Sequence, residues 1–375
     1  MASGERRCVL VAGLSVRQLA EACRDDGFEV ITADCFGDAD TRAAGRRWYP
    51  AGQTGALRLD PGRLIPLLAT LAQEQAVEGW IAGSGFEAQV GLLAEGARRL
   101  PLWGNAAEIV DVVRDPRCFF AELDALGIDH PPVRFEPVHA ADWLVKDFGG
   151  CGGWHIRPAS ARGSLGSRGY FQKRVGGEPM SVLFLAHGGG AVTLGLSRQL
   201  VRPLGRRPFV YRGCVGPVDV PAAVLGEIER IVAALAGRFG LTGINGLDFL
   251  LDAGRVRVLE LNARPPASIA VQGAGLMRAH VRTCADGVLE APPGHPAEAP
   301  TRGHEIVYAR RALLLDADDC AAIAATGWCH DLPQPGTRLA WGDPLCSVSA
   351  SGEDDVAVAG RLARQRKETW KLVEH

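Results

Sequence analysis

The sequence lacks three features that would assign it to a specialised class of protein. It has no run of about 20 apolar residues, so no transmembrane helix is predicted. Its ten cysteines are dispersed without a CxxC pair, which argues against a zinc site or a disulfide framework and suits a reduced, cytoplasmic setting. The formal net charge is only -2, so no overall positive field favours nucleic acid or an anionic membrane as a partner.

The remaining composition is that of a packed globular protein. Hydrophobic residues make up 47% and charged residues 22% of the 375 positions, and this length predicts two or three domains. The apolar run at 8–14 is short and is followed at once by charged residues, so it is not expected to be a signal peptide.

The N-terminal third alternates buried strands with amphipathic helices. Strands are predicted at 8–13, 28–33 and 79–82, with helices between and after them. This βαβαβα order predicts an open parallel sheet with helices on both faces, and we assign it to residues 1–115.

The rest of the sequence has a different pattern. Strands with Gly-rich turns and one long helix at 221–239 predict a second domain at 116–290. A segment at 291–299, rich in Pro and Ala, has the composition of a linker. Short strands and a last helix then predict a small, mainly β C-terminal cap at 300–375, so the fold class is α/β followed by α+β.

A lysine and four glycines form the first candidate site. Lys146 ends a predicted strand and is followed by Gly149, Gly150, Gly152 and Gly153. Glycines let backbone N–H groups curl around a phosphate, and the lysine adds a point charge. The alternative is a flexible surface turn with an exposed lysine.

A second segment contains two strands around a short polar hinge, with Gln172, Lys173, Val175 and Glu178. Such a hinge can offer backbone groups to an adenine edge and side chains to a ribose. An ordinary β-hairpin would have the same pattern.

The third segment is a predicted hairpin that carries Asp248 on one strand and Glu260 and Asn262 on the other. The period of two puts Glu260 and Asn262 on one face, and Asp248 can point to the same face. Three hard oxygen ligands suit magnesium bridged to phosphate oxygens. A solvated hairpin is the alternative, but the continuation into Asn-Ala-Arg-Pro-Pro favours a metal site.

These three segments together resemble the ATP-grasp superfamily over about residues 1–290. The shared features are the strand lysine with its Gly-rich loop, a hinge of the type Gln-x-x-Val-x-Gly that begins at Gln172, and Asp248 followed by Glu-x-Asn-x-Arg at 260–264. The resemblance implies a pre-ATP-grasp domain followed by an ATP-grasp fold.

The resemblance also implies a reaction and its site. The expected enzyme is an ADP-forming carboxylate–amine ligase that works through an acyl phosphate, with a small acid and a small amine as partners, and family members are commonly dimers. The implied cofactors are ATP and Mg²⁺, with two ions. The implied site residues are Arg264 and Lys146 for catalysis; Lys146, Gly149, Gly150, Gly152, Gly153, Gln172, Lys173, Val175, Glu178 and Arg117 for ATP; Asp248, Glu260 and Asn262 for the metal; and Arg264, Ser268, Gly83, Ser84 and Glu87 for substrate.

One position departs from the family. Many members have a lysine near the first helix of the grasp domain that contacts the α-phosphate, whereas this sequence reads Val-Arg-Asp-Pro-Arg at 113–117. Two alternatives follow: Arg117 substitutes for that lysine, or the contact is absent.

Details such as Gly-Ser-Gly-Phe-Glu at 83–87 resemble a branch described as predicted carboligases. Its members accompany one-carbon metabolism with methanopterin or methanofuran coenzymes, which implies a coenzyme precursor as substrate. The same glycines resemble a dinucleotide fingerprint, but the required acidic residue is missing at the needed spacing, so substrate contact or helix capping is favoured. Two other functions stay open: a catalytically silent ATP-binding module, and an ATP-dependent carboxylase on the same fold.

Overall fold

The computed structural model describes residues 7–53, 56–138, 140–159, 169–293 and 299–374. The N-terminal part is the predicted parallel sheet with helices. Its elements are β1 (Cys8–Ala12), α1 (Arg17–Asp25), β2 (Glu29–Asp34), α2 (Ala39–Ala44), β3 (Arg47–Pro50), α3 (Pro61–Gln73), β4 (Gly79–Ala82), α4 (Val90–Arg99) and α5 (Ala107–Arg114).

The order of the strands in this sheet determines where its loops meet. The order is β3-β2-β1-β4 with all strands parallel, so the chain moves outward from β1 to β3 and then crosses to the other side of β1. Ligands of open α/β sheets bind beyond the carboxyl ends of the strands at such a switch point. Here the switch point lies between the ends of β1 and β4, next to Gly83 and Ser84.

A four-stranded antiparallel sheet and a helix begin the second part of the fold. Asp115 accepts hydrogen bonds from the N–H groups of Arg117 and Cys118 and thereby caps the helix α6. The elements are α6 (Pro116–Ala125), β5 (Val133–Arg134), β6 (Trp143–Asp147), β7 (Arg157–Pro158) and β8 (Gly169–Lys173), with strand order β5-β8-β6-β7.

A large antiparallel sheet forms the rest of the molecule. It is built from β9 (Glu178–His187), β10 (Gly190–Leu204), β11 (Arg207–Gly216), β12 (Gly243–Asp252), β13 (Arg255–Asn262), β14 (Thr301–Tyr308), β16 (Cys329–His330) and β18 (Pro344–Gly352). The order is β13-β12-β9-β10-β11-β14-β18-β16. The strands of the predicted C-terminal cap therefore continue the sheet of the preceding part, through pairing of β11 with β14.

Helices and short elements cover this sheet. They are α7 (Ala222–Phe239), a 3₁₀ helix (Ala267–Val271), α8 (Leu276–Asp286), α9 (Ala317–Ala325) and α10 (Asp355–Leu372), and a separate pair of strands, β15 (Leu313–Leu314) and β17 (Arg338–Leu339). Helix α7 packs Ile228, Ile231 and Leu235 into the core and ends at Gly240, whose φ of 64° is left-handed. None of the described helices combines the length and the apolar character that a membrane span requires.

A buried histidine joins the two large parts of the molecule. His280 on α8 is fully buried, its Nδ1 accepts a hydrogen bond of 2.9 Å from the N–H of Ile244, and its Nε2 donates to the carbonyl of Trp103 at 3.1 Å. Both ring nitrogens are therefore used by the neutral form, and burial lowers the pKa of His280 to about 4.

We expect this histidine to make the fold sensitive to acid. Below pH 6.5 an unfolded histidine gains a proton that the buried His280 gains only near pH 4, so the free energy of unfolding falls as the pH drops through this window, by up to about 3 kcal/mol. Urea unfolding followed by circular dichroism at several pH values would measure this slope. His280→Gln, which keeps one donor and one acceptor, should flatten it, and an unchanged slope in that variant would assign the acid sensitivity to other groups.

Candidate active site

The metal-ligand candidates lie on adjacent paired strands. Asp248 on β12 is directly opposite Glu260 on β13, and Gly246 is opposite Asn262. Residues that face each other across paired strands share one face of the sheet, so the three side chains converge as the sequence predicts. Asn262 Nδ2 donates to Asp248 Oδ2 at 3.3 Å.

The two carboxylates have opposite electrostatic environments. Burial raises the pKa of Asp248 to about 7, and the facing Glu260 carboxylate adds to the rise, whereas Ser181 and Gln199 oppose it by donating hydrogen bonds. Burial also acts against ionisation of Glu260, but the charges of Arg114 and Lys146 hold its pKa below the ordinary value. Two carboxylates that face each other repel, which is why one of them resists ionisation. A divalent cation bound at this place would relieve the repulsion and be stabilised by both groups.

The donor set is that of a hard cation. Within the described part of the chain, no group of three His, Cys, Asp or Glu side chains is arranged to hold a metal ion. The candidate set has two carboxylates and one amide, which are oxygen donors of the kind that Mg²⁺ takes when phosphate oxygens supply further ligands. These residues therefore fit magnesium and do not fit zinc.

Lys146 approaches this pair from the other sheet. It lies on β6 opposite Tyr170 and is 7% exposed. Burial lowers the pKa of its ammonium, while Glu260 and Asp248 act in the opposite direction. A buried cation on which the charges of both acids act is well placed to meet the phosphates that a metal would bring there.

The glycines after Lys146 allow the loop to pack tightly on its surroundings. A side chain at Gly153, with φ of 75°, would meet the carbonyl oxygen of Phe209 at 1.8 Å, and one at Gly150 would meet the His155 ring at 2.4 Å. The carbonyl of Gly152 accepts a hydrogen bond from the N–H of Tyr211. The N–H of Gly149 donates to the Asp147 carboxylate at 2.8 Å. Close backbone approach therefore explains two of the four glycines, apart from any role with phosphate.

Arg114, which the sequence analysis did not select, points into this site. Its Nη2 donates to the carbonyls of Phe148 and Gly150, at 2.6 and 2.9 Å, and its Nη1 lies 3.6 Å from Glu260 Oε2. The guanidinium of Arg117, three residues later, lies 4.0 Å over the ring of Phe135 on an exposed side chain. Arg114 is the last residue of α5 and Arg117 is the second residue of α6, and the break at Asp115 turns the two arginines apart.

The hinge residues differ in their surroundings. Gln172 is buried, and in the described part of the chain its Nε2 has no hydrogen-bond partner, as suits a group that awaits a ligand. Lys173 is the last residue of β8 and is exposed, and Val175 follows the strand and is half-buried. The carboxylate of Glu178 pairs with Arg198 at 2.5 Å, and Arg198 also contacts Asp355 on α10.

The candidate substrate residues come from both large parts of the molecule. Arg264 forms an ion pair with Glu87, which lies in the loop after β4 with Gly83 and Ser84. Ser268 is buried at the start of the 3₁₀ helix, and its Oγ has no partner within the described residues. Gly83, Ser84 and Glu87 thus lie at the switch point, and Arg264 is paired with Glu87. The fifth predicted contact, Ser268, lies four residues beyond Arg264 in the sequence.

Comparisons with known proteins identify similar folds. The model of the ATP-grasp domain family matches residues 114–268. No curated protein matches the sequence. Three solved structures illustrate the similarity of fold: an L-amino acid ligase from Bacillus licheniformis (12% identity, 98% of each chain, TM-score 0.67), an N5-carboxyaminoimidazole ribonucleotide synthetase from Thermus thermophilus (17%, 98% and 99%, 0.68), and the biotin carboxylase domain of a Hydrogenobacter thermophilus 2-oxoglutarate carboxylase bound to MgADP (13%, 97% and 90%, 0.67).

These matches confirm the predicted fold class and the prediction of an ATP-grasp ligase enzyme. ATP-grasp enzymes use ATP and Mg²⁺ and act on small molecules, which agrees with the donor set described above. Residues 114–268 are similar to the ATP-grasp domain family, and the whole chain has the fold of these solved ligase and carboxylase structures.

Proposed function

We propose that this protein is an ADP-forming ligase that joins a small carboxylic acid to a small amine through an acyl phosphate. The observation that carries the proposal is the meeting of Asp248 and Glu260 with Lys146 and Arg114, because this set can neutralise a γ-phosphate and a carboxylate at once. The resemblance to the carboligase branch supports a precursor of a pterin or furan coenzyme as one substrate.

The residues have distinct roles in this reaction. Asp248, Glu260 and Asn262 would hold magnesium, for which we propose two ions, and the metal would supply positive charge that stabilises the group being transferred. Gln172, Lys173, Val175 and Glu178 would surround the nucleoside, and the Gly-rich loop at 149–153 would cover the phosphates. The α-phosphate contact expected of Arg117 is proposed here for Arg114, since Arg114 points into the site.

The chemical steps then follow from the charges. A carboxylate oxygen attacks the γ-phosphorus, the bond to the β-phosphate oxygen of ADP breaks, and an acyl phosphate forms. The amine attacks the acyl carbon, phosphate leaves with the bonding electrons, and the amine nitrogen releases a proton. Arg264 orients the acid and stabilises the acyl phosphate, because its planar fork matches either group.

A trapping assay tests the proposal. The purified chain is incubated with MgATP, pools of carboxylic acids that include pterin- and furan-linked ones, and hydroxylamine as a general amine. We expect ADP and a hydroxamate to form together and only when an acid is present. A second round with pools of amines then identifies the natural acceptor.

The other outcomes distinguish the rival functions. ADP production stimulated by bicarbonate without any other acid would favour a carboxylase, which is supported by the carboxylase domain among the similar structures. ATP binding without turnover in any pool would favour a silent module. The absence of ATP binding would overturn the proposal.

A further inference from the structure

The loop at 83–87 has no role in the steps above, although it lies at the switch point of the N-terminal sheet. We infer that Glu87 is a positioning residue: it holds the guanidinium of Arg264 in the site from the N-terminal part of the molecule and does not itself touch substrate. This inference rests on the proposed function, because it assigns Arg264 to the acid and the acyl phosphate.

Both oxygens of Glu87 are occupied by protein. Oε1 accepts a hydrogen bond from Arg264 Nε, and Oε2 accepts one of 2.7 Å from the N–H of Gly85. The side chain is 9% exposed. A carboxylate that is buried and bonded on both oxygens has little capacity left for a ligand, so positioning is favoured over substrate contact.

The loop that carries Glu87 is rigid. Gly85 has φ of 108°, and a side chain there would meet Leu14 at 2.7 Å. Phe86 is 2% exposed, and its ring centroid lies 5.3 Å from that of Trp80 on β4. Glu87 is therefore anchored on both sides, as a residue that orients another must be.

Arg264 is held firmly only at one edge. Its Nε is bonded to Glu87, whereas Nη1 reaches the carbonyl of Pro265 at 3.3 Å and Nη2 reaches Asn262 Oδ1 at 3.5 Å, which are long contacts. A short bond at Nε fixes the direction of the guanidinium plane. Because the guanidinium is planar, this bond also sets where the two Nη groups point, and their N–H groups can donate to an oxyanion more strongly than to these carbonyl oxygens.

The pair also stays charged over the pH range in which a ligase works. Burial opposes ionisation of Glu87, but Arg264 and then Arg114 lower its pKa to about 2. Its hold on Arg264 therefore does not change between neutral and mildly acidic pH. The contact joins residues 177 positions apart, so turnover depends on the docking of the N-terminal part onto the grasp domain.

Kinetics of Glu87→Gln test the inference, with hydroxylamine and the acid that gives the most hydroxamate with the wild-type chain. A glutamine offers one acceptor where two N–H groups need one each, so Arg264 loses its fixed direction. We expect kcat to fall about 10²-fold, as a small misplacement near the reacting atoms does, with the KM for ATP little changed. Glu87→Asp should recover part of the loss. Glu95→Gln is the matched control, because Glu95 on α4 pairs with Arg98 and Arg99 on the surface.

A double-mutant cycle separates positioning from substrate contact. If Glu87 acts through Arg264, then adding Glu87→Gln to Arg264→Ala causes no further loss of kcat. Additive losses, or a rise in the KM for the acid alone, would overturn the inference. An active Glu87→Gln would overturn it and leave the proposed function standing, whereas a wild-type chain that forms no hydroxamate with any acid would overturn both. Binding of MgATP by each variant shows that it is folded.

Discussion

Replacing Glu260 by glutamine is expected to lower ATP-dependent turnover by at least about 10²-fold, with the loss lessened but not removed by raising the magnesium concentration. Glu260 is the more readily ionised member of the acidic pair, and it is the group that Lys146 and Arg114 approach. Its neutral analogue would bind the cation weakly and leave both basic side chains without their counter-charge. The measurement is ADP production at saturating ATP over a range of magnesium concentrations.

The same variant should remain folded, which separates a loss of function from a loss of structure. Glu260 directly faces Asp248, and like charges on paired positions destabilise a sheet. The substitution relieves this repulsion but also takes the counter-charge from Lys146 and Arg114, so the thermal midpoint of Glu260→Gln without magnesium should stay close to that of the wild type. Magnesium should raise the midpoint of the wild type more than that of the variant.

Asp252→Asn is the matched control. Asp252 lies at the end of the same hairpin, is exposed, and pairs with Arg257 at 3.1 Å. It should keep full activity. Equal activity of Glu260→Gln and the wild type would show that the acidic pair is not the metal site.

The sequence predicts best what local patterns determine. Periodicity and turn residues correctly indicate β1, β2, β4, α1, α3 and α4 of the N-terminal part, the hairpin of Asp248 and Glu260, and the helix Ala222–Phe239. They do not indicate the short helices Ala39–Ala44 and Ala107–Arg114. Strand β3 was not predicted, since Arg47–Pro50 is short and has exposed residues at both ends. Four residues are too few to show the alternation of apolar and polar side chains that distinguishes a strand from a loop.

Long-range pairing is the part that the sequence does not reveal. Local patterns predict strands in the C-terminal cap, but the joining of β14 to β11, with Cys214 opposite His304, depends on residues about 90 positions apart. The contact between Glu87 and Arg264 has the same character. Both are set by how completed elements pack, and no single segment contains that information.

The two arginines near the domain junction illustrate this limit within a few residues. Sequence position alone makes Arg114 and Arg117 equally good substitutes for a basic ATP contact. The choice is made by Asp115, which ends one helix and caps the next, so that the two side chains leave the backbone in different directions. A change in direction at a helix junction depends on tertiary packing, which periodicity does not describe.

Arg114→Ala is therefore expected to have a large effect and Arg117→Ala almost none. Loss of Arg114 removes a positive charge next to Glu260 and the two hydrogen bonds to the carbonyls of Phe148 and Gly150 that hold the start of the Gly-rich loop. Removal of one such preorganised cation should lower kcat/KM for ATP by about 10²- to 10³-fold. Arg114→Lys should fall between, because an ammonium restores the charge but cannot span both carbonyls. Arg117→Ala removes only a contact with Phe135 on the surface, so it serves as the matched control.

Fluorescence titration with an ATP analogue, together with steady-state kinetics, measures both variants. A weak effect of Arg114→Ala beside a strong effect of Arg117→Ala would require the helix junction to rearrange when ATP binds, and it would return the ATP contact to the residue that the sequence favours.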